Sequence, residues 1–268
     1  MAETRSIRSR DNALLREAAA LAGSARERRR RGESFIEGVH LCAAYLARFG
    51  APRAALVAES ALADPEVAAI AARCDRLALV DDALHRDLSQ LADPAGIAFL
   101  VATPRAALPA TIDADCVYLD RIQDPGNVGS ILRSCAAAGV GLVVTSPQTA
   151  FVWSPKVLRA GMGAHFALTL CEGVGWDEIA ARLRVRLLGT RGRDAHPLHA
   201  LDLRAPACWL LGNEGAGVSV VDARIAWVAI AQTDAVESLN VAAAAAVCLF
   251  EQRRQRLVGA PDPRAAAA

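Results

Sequence analysis

The sequence predicts an α/β protein of two units, the second built on a mainly parallel sheet with helices on both faces. Three observations carry that prediction. Short apolar runs alternate with helix-length segments along most of the 268 residues, the pattern of strands joined by crossover helices. A proline-bearing stretch without periodicity, 106–114, separates two such series. In the second series, three polar segments stand where apolar runs end: Asp124-Pro125-Gly126-Asn127-Val128-Gly129, Gly212-Asn213-Glu214-Gly215-Ala216-Gly217 and Ser238-Leu239-Asn240. Open α/β sheets build ligand sites at such junctions.

Taken in order, residues 1–25 read as a basic helical arm, with Leu14, Leu15, Ala18 and Leu21 as its apolar positions. A short strand at Phe35-Ile36-Glu37-Gly38 follows, then helix 39–49, strand 54–58, helix 65–73, strand 77–80, helix 81–91 and strand 96–103. These make an N-terminal domain of residues 1–105. The second domain, 115–257, opens with strand 116–121. Helix 128–138 has Asn127 as its expected N-cap and Gly139 as its C-terminal cap. Strand 141–145, helix 155–159, strand 165–170 and helix 176–183 follow. Next come strands 186–190 and 208–211, a short helix near 219–223, strand 227–231 and a closing helix from Ser238 to about Arg256. The tail 258–268, with Pro261, Pro263 and four terminal alanines, is expected to be disordered.

Composition narrows the class. Hydrophobic residues make up 53% of the chain and aromatics 4%, so a packed core rests on Ala, Leu and Val. A net charge of +1 excludes a polycation wrapped around nucleic acid. Yet Arg26-Glu27-Arg28-Arg29-Arg30-Arg31 is a local basic block, open to reading as a solvated face or as a phosphate-contacting patch. Seven scattered cysteines without a CxxC pair read as reduced core residues of a cytoplasmic protein, not as a zinc site. His196 and His199 flank Pro197, which argues against a helical metal pair, and His40, His85 and His165 are isolated. The longest apolar run, 241–250, is far shorter than the ~20 residues of a membrane helix.

The three polar segments carry the chemistry. A turn opening a helix at Asp124–Gly129 leaves backbone N–H groups suited to an anion, and Arg133 lies about 9 Å further along the helix axis. Either an ordinary cap with a surface arginine or a ligand site fits those residues alone. Three glycines in the six residues from Gly212 to Gly217 imply close backbone approach, and Glu214 among them exceeds what a turn needs. Ser238 and Asn240 open an alanine-rich helix, as caps or as polar site residues. No G-x-G-x-x-G dinucleotide fingerprint is present.

Together, in this order, the three segments resemble the signature motifs of the SpoU (TrmH) family of RNA ribose 2′-O-methyltransferases, within the SPOUT superfamily. The resemblance covers residues 115–255. It places the family's motif Asn and Arg on Asn127 and Arg133, its Gly-Asn-Glu-Gly on Gly212 to Gly215, and its Ser-Leu-Asn on Ser238, Leu239 and Asn240. The third motif departs from the family in reading Ile230-Ala231-Gln232-Thr233-Asp234 where Ile-Pro is usual, and in having Ala242 where a serine often stands. The N-terminal unit is similar to the substrate-binding domain that precedes many such catalytic domains and resembles kink-turn-binding ribosomal proteins.

The resemblance implies a trefoil-knotted catalytic domain, a homodimer formed through it, and S-adenosylmethionine held by Thr190, Gly212, Ile230 and Leu239. It implies a catalytic set of Asn127, Arg133, Glu214, Ser238 and Asn240. Arg28, Arg29, Arg30, Arg31, Lys156 and Arg159 would face RNA, ribosomal RNA in preference to transfer RNA, with neither metal nor membrane. A guanidinium, with pKa above ~12, is a poor general base; Arg133 is better read as a clamp on the target phosphate and ribose. A tRNA 2′-O-methyltransferase, a base-modifying SPOUT enzyme and a non-catalytic RNA-binding relic are the alternatives.

Overall fold

The computed structural model describes residues 3–192 and 195–258. It divides into two compact units: one from Met1 to Pro104 joined by Phe151–Phe166, the other from Arg105 to Ala150 and from Ala167 onwards. The tail from Gly259 lies outside the described residues.

The first unit is a five-stranded mixed sheet with helices. Its elements are β1 (Glu3–Ile7), α1 (Ala13–Gly23), α2 (Ala25–Arg31), β2 (Glu33–Glu37), α3 (Val39–Phe49) and β3 (Ala54–Ala58), followed by α4 (Pro65–Ala71), β4 (Arg76–Val80), α5 (Asp82–Leu88) and β5 (Ile97–Ala102). The sheet order is β1-β4-β3-β5-β2. β1, β4 and β3 run parallel, while β5 pairs antiparallel with both β3 and β2. Strand β3 is buried along its whole length, as its apolar sequence Ala-Ala-Leu-Val-Ala requires of a central strand.

The expected basic arm over residues 1–25 is corrected here. Glu3–Ile7 is an edge strand in which Thr4, Arg5 and Ser6 are exposed and Ile7 is buried. Helix α1 buries Leu15, Ala18, Leu21 and Ala22 in the core with Phe35, Leu56, Val80 and Leu100. Asn12 caps α1 by accepting from Leu14 N at 2.9 Å, and Ser24 caps α2 by accepting from Glu27 N at 3.2 Å. Gly32, at φ 65°, ends α2 in the left-handed region that glycine enters without strain.

The second unit is a seven-stranded parallel sheet. It comprises β6 (Cys116–Asp120), α6 (Pro125–Ala138) and β7 (Leu142–Thr145), after which the chain leaves for α7 (Pro155–Gly161) and a 3-10 turn at Ala164–Phe166, both in the first unit. It resumes with β8 (Thr169–Cys171), α8 (Trp176–Ala180), β9 (Arg186–Thr190), β10 (His196–Pro197), β11 (Ala207–Gly212), β12 (Ile225–Ala229) and α9 (Val241–Leu257). The order is β10-β12-β9-β11-β6-β7-β8, with every pairing parallel. From β6 the chain winds one way through β7 to β8; from β11 it winds the other way to β12. The neighbours β6 and β11 thus form a topological switch point, and their carboxyl ends open a crevice.

Three further expectations give way. The strand expected over 165–170 is a 3-10 turn followed by β8, and the turn's His165 and Phe166 join an aromatic cluster with Trp153. The helix expected near 219–223 is irregular backbone, because Ser219 is bonded to Asp120 and not to a following turn. The expected linker 106–114 packs onto the second unit: Ile112 is buried and bridges to Leu183, and the Arg182 guanidinium donates to Leu108 O at 2.7 Å.

Two buried histidines make the first unit sensitive to acid. His165 Nε2 lies 2.8 Å from Val152 O, and burial pushes its pKa down to about 4 from the ordinary 6.5. Burial also lowers His85. Both groups hold fewer protons in the folded than in the unfolded chain across that window. Their contribution to stability is therefore complete above about pH 6.5 and is lost as pH falls towards 4. Urea unfolding should show a falling midpoint between pH 7 and pH 5, with a shallower fall in His165→Gln. A wild-type midpoint unchanged over that range would show that these rings are not held neutral.

Candidate active site at the strand ends

The loop after β11 is shaped by one glycine and one asparagine. A Cβ on Gly212 would lie 2.1 Å from both Gly217 C and Val218 N, so only glycine lets the chain fold back on itself there. Asn213 then closes the loop. Its N–H donates to Gly217 O at 3.0 Å and its carbonyl accepts from Gly217 N at 2.8 Å. Its side-chain oxygen accepts from Gly215 N and Ala216 N at 3.0 Å each, while Nδ2 donates to Arg121 O at 3.0 Å.

Asp120, buried at the end of β6, anchors the far side of the same loop. Its Oδ2 accepts from Ser219 N at 2.5 Å and from Ser219 Oγ at 2.8 Å. The next residue, Arg121, adopts a left-handed φ of 58° and donates its N–H to Ser146 Oγ at 2.8 Å. The ends of β6 and β11 are thereby tied to each other beyond the last strand pairing.

Across this frame runs a chain of three side chains, one from each polar segment. Asn240 is the N-cap of α9, its Oδ1 accepting from Ala242 N at 2.9 Å and Ala243 N at 3.2 Å. That leaves Nδ2 to donate to Asn127 Oδ1 at 2.9 Å. Asn127 Nδ2 in turn donates to Glu214 Oε1 at 2.8 Å. The orientation of both amides follows: a backbone N–H can be met only by the oxygen of Asn240, and a carboxylate only by the nitrogen of Asn127. The N-cap of α6 is Asp124, which accepts from Asn127 N at 2.8 Å, not Asn127 as the sequence suggested. Displacement by one turn frees the Asn127 side chain for the relay.

Beside the relay lies a cleft of about 620 Å³ lined by Thr190, Gly212, Ile230, Leu239, Ser238, Glu214 and Asn240. All four residues expected at the cofactor are among them. Ser238 is exposed and makes no side-chain hydrogen bond among the described residues, since Asn240 caps the helix in its place. The lining also includes Arg191, Gln232 and Glu237, polar residues to which the sequence assigned no role. Gln232 Oε1 is buried without a hydrogen-bond partner, an orphaned acceptor of the kind that a ligand or ordered water relieves. Arg133 stands outside the cleft, exposed on α6 and without an ion pair among the described residues.

The six expected RNA contacts, all in the first unit, divide sharply. Arg28 is 5% exposed and its guanidinium donates to Leu21 O and to Ala22 O, so it caps carbonyls and does not face solvent. Arg30 is held by Glu27 at 2.6 Å, and Arg31 by Glu17 at 2.9 Å. Arg159 approaches the buried Glu37 at 3.6 Å, whose carboxylate also accepts from Ser89 Oγ at 2.8 Å. Only Arg29 and Lys156 are exposed and without an ion pair among the described residues. Arg29 lies over the Phe151 ring, 5.0 Å from its centroid.

Comparison with known proteins agrees with this geometry. Residues 115–250 match the SpoU rRNA Methylase family, a span that contains every member of the relay and all of the cleft. The chain is 36% identical over 145 residues to an uncharacterised tRNA/rRNA methyltransferase of Synechocystis, covering 52% of this chain and 53% of that protein. It is 31% identical over 205 residues, 70% of each chain, to a 23S rRNA (uridine(2479)-2′-O)-methyltransferase of Streptomyces viridochromogenes. An AdoMet-bound rRNA methyltransferase from Sinorhizobium meliloti superimposes with a TM-score of 0.82 at 25% identity, over 94% of this chain and 98% of that one. The chain spans about half the length of most curated relatives it matches. Three motifs in order, the relay they build at the β6/β11 switch point and a family match that takes in every strand of the parallel sheet lead to one conclusion: the chain belongs to the SpoU rRNA methylase family.

Proposed function

We propose that this protein methylates a ribose 2′-hydroxyl of ribosomal RNA with S-adenosylmethionine, and that Asn127, Arg133, Glu214, Ser238 and Asn240 carry the reaction. The Glu214–Asn127–Asn240 relay is the observation that carries the reading. It is complete in this chain despite the altered Ile230–Asp234 stretch, which speaks against an inactive RNA-binding relic. The cofactor supplies a methyl group already activated on a sulfonium. What remains for the protein is to orient the hydroxyl and favour loss of its proton.

The cleft suits that cofactor. Glu214 and Glu237 line it and would face the cofactor's positive groups, and the Gln232 oxygen, without a partner among the described residues, would accept from a donor. Thr190, Gly212, Ile230 and Leu239 would hold it, within the knotted backbone that the family implies. Arg133, exposed on α6, would grip the target phosphate and stabilise the developing alkoxide, while Asn127 and Ser238 orient the ribose. In the first unit, Arg29 and Lys156 would meet RNA, Arg29 offering the free face of a guanidinium already stacked on Phe151.

A homodimer through the second unit is supported by the exposed apolar face of α9, where Val247 and Phe250 are 43% and 45% exposed. A cytoplasmic setting is supported by seven buried, unpaired cysteines. No helix among the described residues is long and apolar enough to cross a membrane.

Calorimetry should find one S-adenosylmethionine bound per chain, and its absence would overturn the reading. Asn127→Ala should keep cofactor binding but lower turnover on ribosomal RNA by roughly a hundredfold, the range of a lost positioning group; turnover within twofold of wild type would remove the relay from catalysis. Arg133→Lys should lose most activity because a single ammonium does not replace a two-pronged clamp, and near-normal turnover would argue against clamping. For RNA affinity, Arg29→Ala should weaken binding and reduce the log-log salt slope by about one. An unchanged slope would leave the Arg29–Phe151 stack a structural contact only.

A further inference from the structure

The residues that leave β9 build a feature that neither the motifs nor the family match assigns. Arg191 stands two residues beyond Gly189 along an extended segment, so its side chain projects to the side on which a Cβ at 189 would lie. In the neighbouring strand, Trp227 pairs with Gly189. A Cβ on Gly189 would meet Trp227 Cζ3 at 2.7 Å and Ile225 Cγ2 at 2.9 Å. Glycine at 189 is therefore what lets the indole lie across the strand. Arg191 comes to rest on that indole, its guanidinium carbon 5.4 Å from the ring. The backbone is held as well, Arg191 N donating to Val228 O at 2.9 Å.

The guanidinium so presented has no ion pair among the described residues, yet it borders the cleft. Among the described residues it is the only cationic side chain in the cleft lining, against the two carboxylates of Glu214 and Glu237. S-adenosylmethionine carries the complementary pattern: a sulfonium, an ammonium and a single carboxylate. We propose that Arg191, seated over the Trp227 indole for which Gly189 leaves room, binds the carboxylate of the cofactor's methionyl tail. The inference rests on the cleft being the cofactor site. A stacked arginine loses less freedom on binding than a mobile one, and the fork geometry of guanidinium matches a carboxylate. A contact with the Trp227 ring uses none of the guanidinium N–H donors, which remain available to an anion.

Calorimetry with S-adenosylmethionine and with its decarboxylated analogue tests this, since the analogue keeps the sulfonium and amine but lacks the carboxylate. Wild type should bind the parent roughly tenfold or more tightly than the analogue, as expected of a charge-assisted hydrogen bond. Arg191→Met should erase that preference by weakening the parent alone, and Trp227→Leu should reduce it. Equal weakening of both ligands by Arg191→Met would make the residue structural and overturn the proposal. Unchanged cofactor affinity together with weakened RNA binding would assign Arg191 to an RNA phosphate, and also overturn it. If wild type binds neither ligand, the cofactor reading itself fails and the inference falls with it. That result is distinct from wild-type binding without preference, which sinks the inference alone.

Discussion

Asn240 caps α9 with its side-chain oxygen, and from that commitment the polarity of the whole site follows. With Oδ1 taken by two backbone N–H groups, only Nδ2 remains to face Asn127; Asn127 must then offer its oxygen to Asn240 and its nitrogen to Glu214. Each of these exposed hydrogen bonds is worth only about 1 kcal/mol to stability. Their value is orientation. Three segments more than a hundred residues apart at their extremes are locked into one arrangement, with the Glu214 carboxylate aimed by a partner that cannot flip.

That relay depends in turn on how closely the backbone closes around it. Gly212 has no room for a side chain, and Asn213 replaces missing backbone partners with its own amide. Asp120 ties the far limb of the loop to the end of β6. These contacts work only because β6 and β11 are adjacent and parallel, so that their carboxyl ends emerge side by side. A cleft at a switch point is the ordinary consequence of this topology; its chemistry comes from the asparagines and carboxylate placed at its rim, and from Arg191 on its Trp227 shelf.

In the first unit, charge is largely consumed by structure. Glu17 receives Arg31 and Arg53, Glu27 receives Arg30, and Arg28 is drawn inward to two carbonyls. A run of arginines that looks like a nucleic-acid patch is thus mostly a device that closes the turn between α1 and β2. Arg29 remains exposed and, like the buried Arg28, lies over the Phe151 ring. That aromatic is far away in sequence and enters the unit through the inserted segment 151–166.

Local chemistry was legible from the sequence by itself. Apolar runs marked β3 and β9 to the residue, helix α3 likewise, and the order of the three polar segments identified the family and most of the cleft. Such features depend on near neighbours: periodicity, glycine, and caps within a turn or two. What only the tertiary structure decided were relations between distant residues. Edge strand β1 is too polar to announce itself and exists because β4 offers it a parallel partner. The placing of Phe151–Phe166 in the first unit, the burial of Arg28 and the seat of Arg191 on Trp227 have no local signature at all. Each depends on which strand lies beside which, and pairing across a sheet leaves no trace in the spacing of residues along the chain.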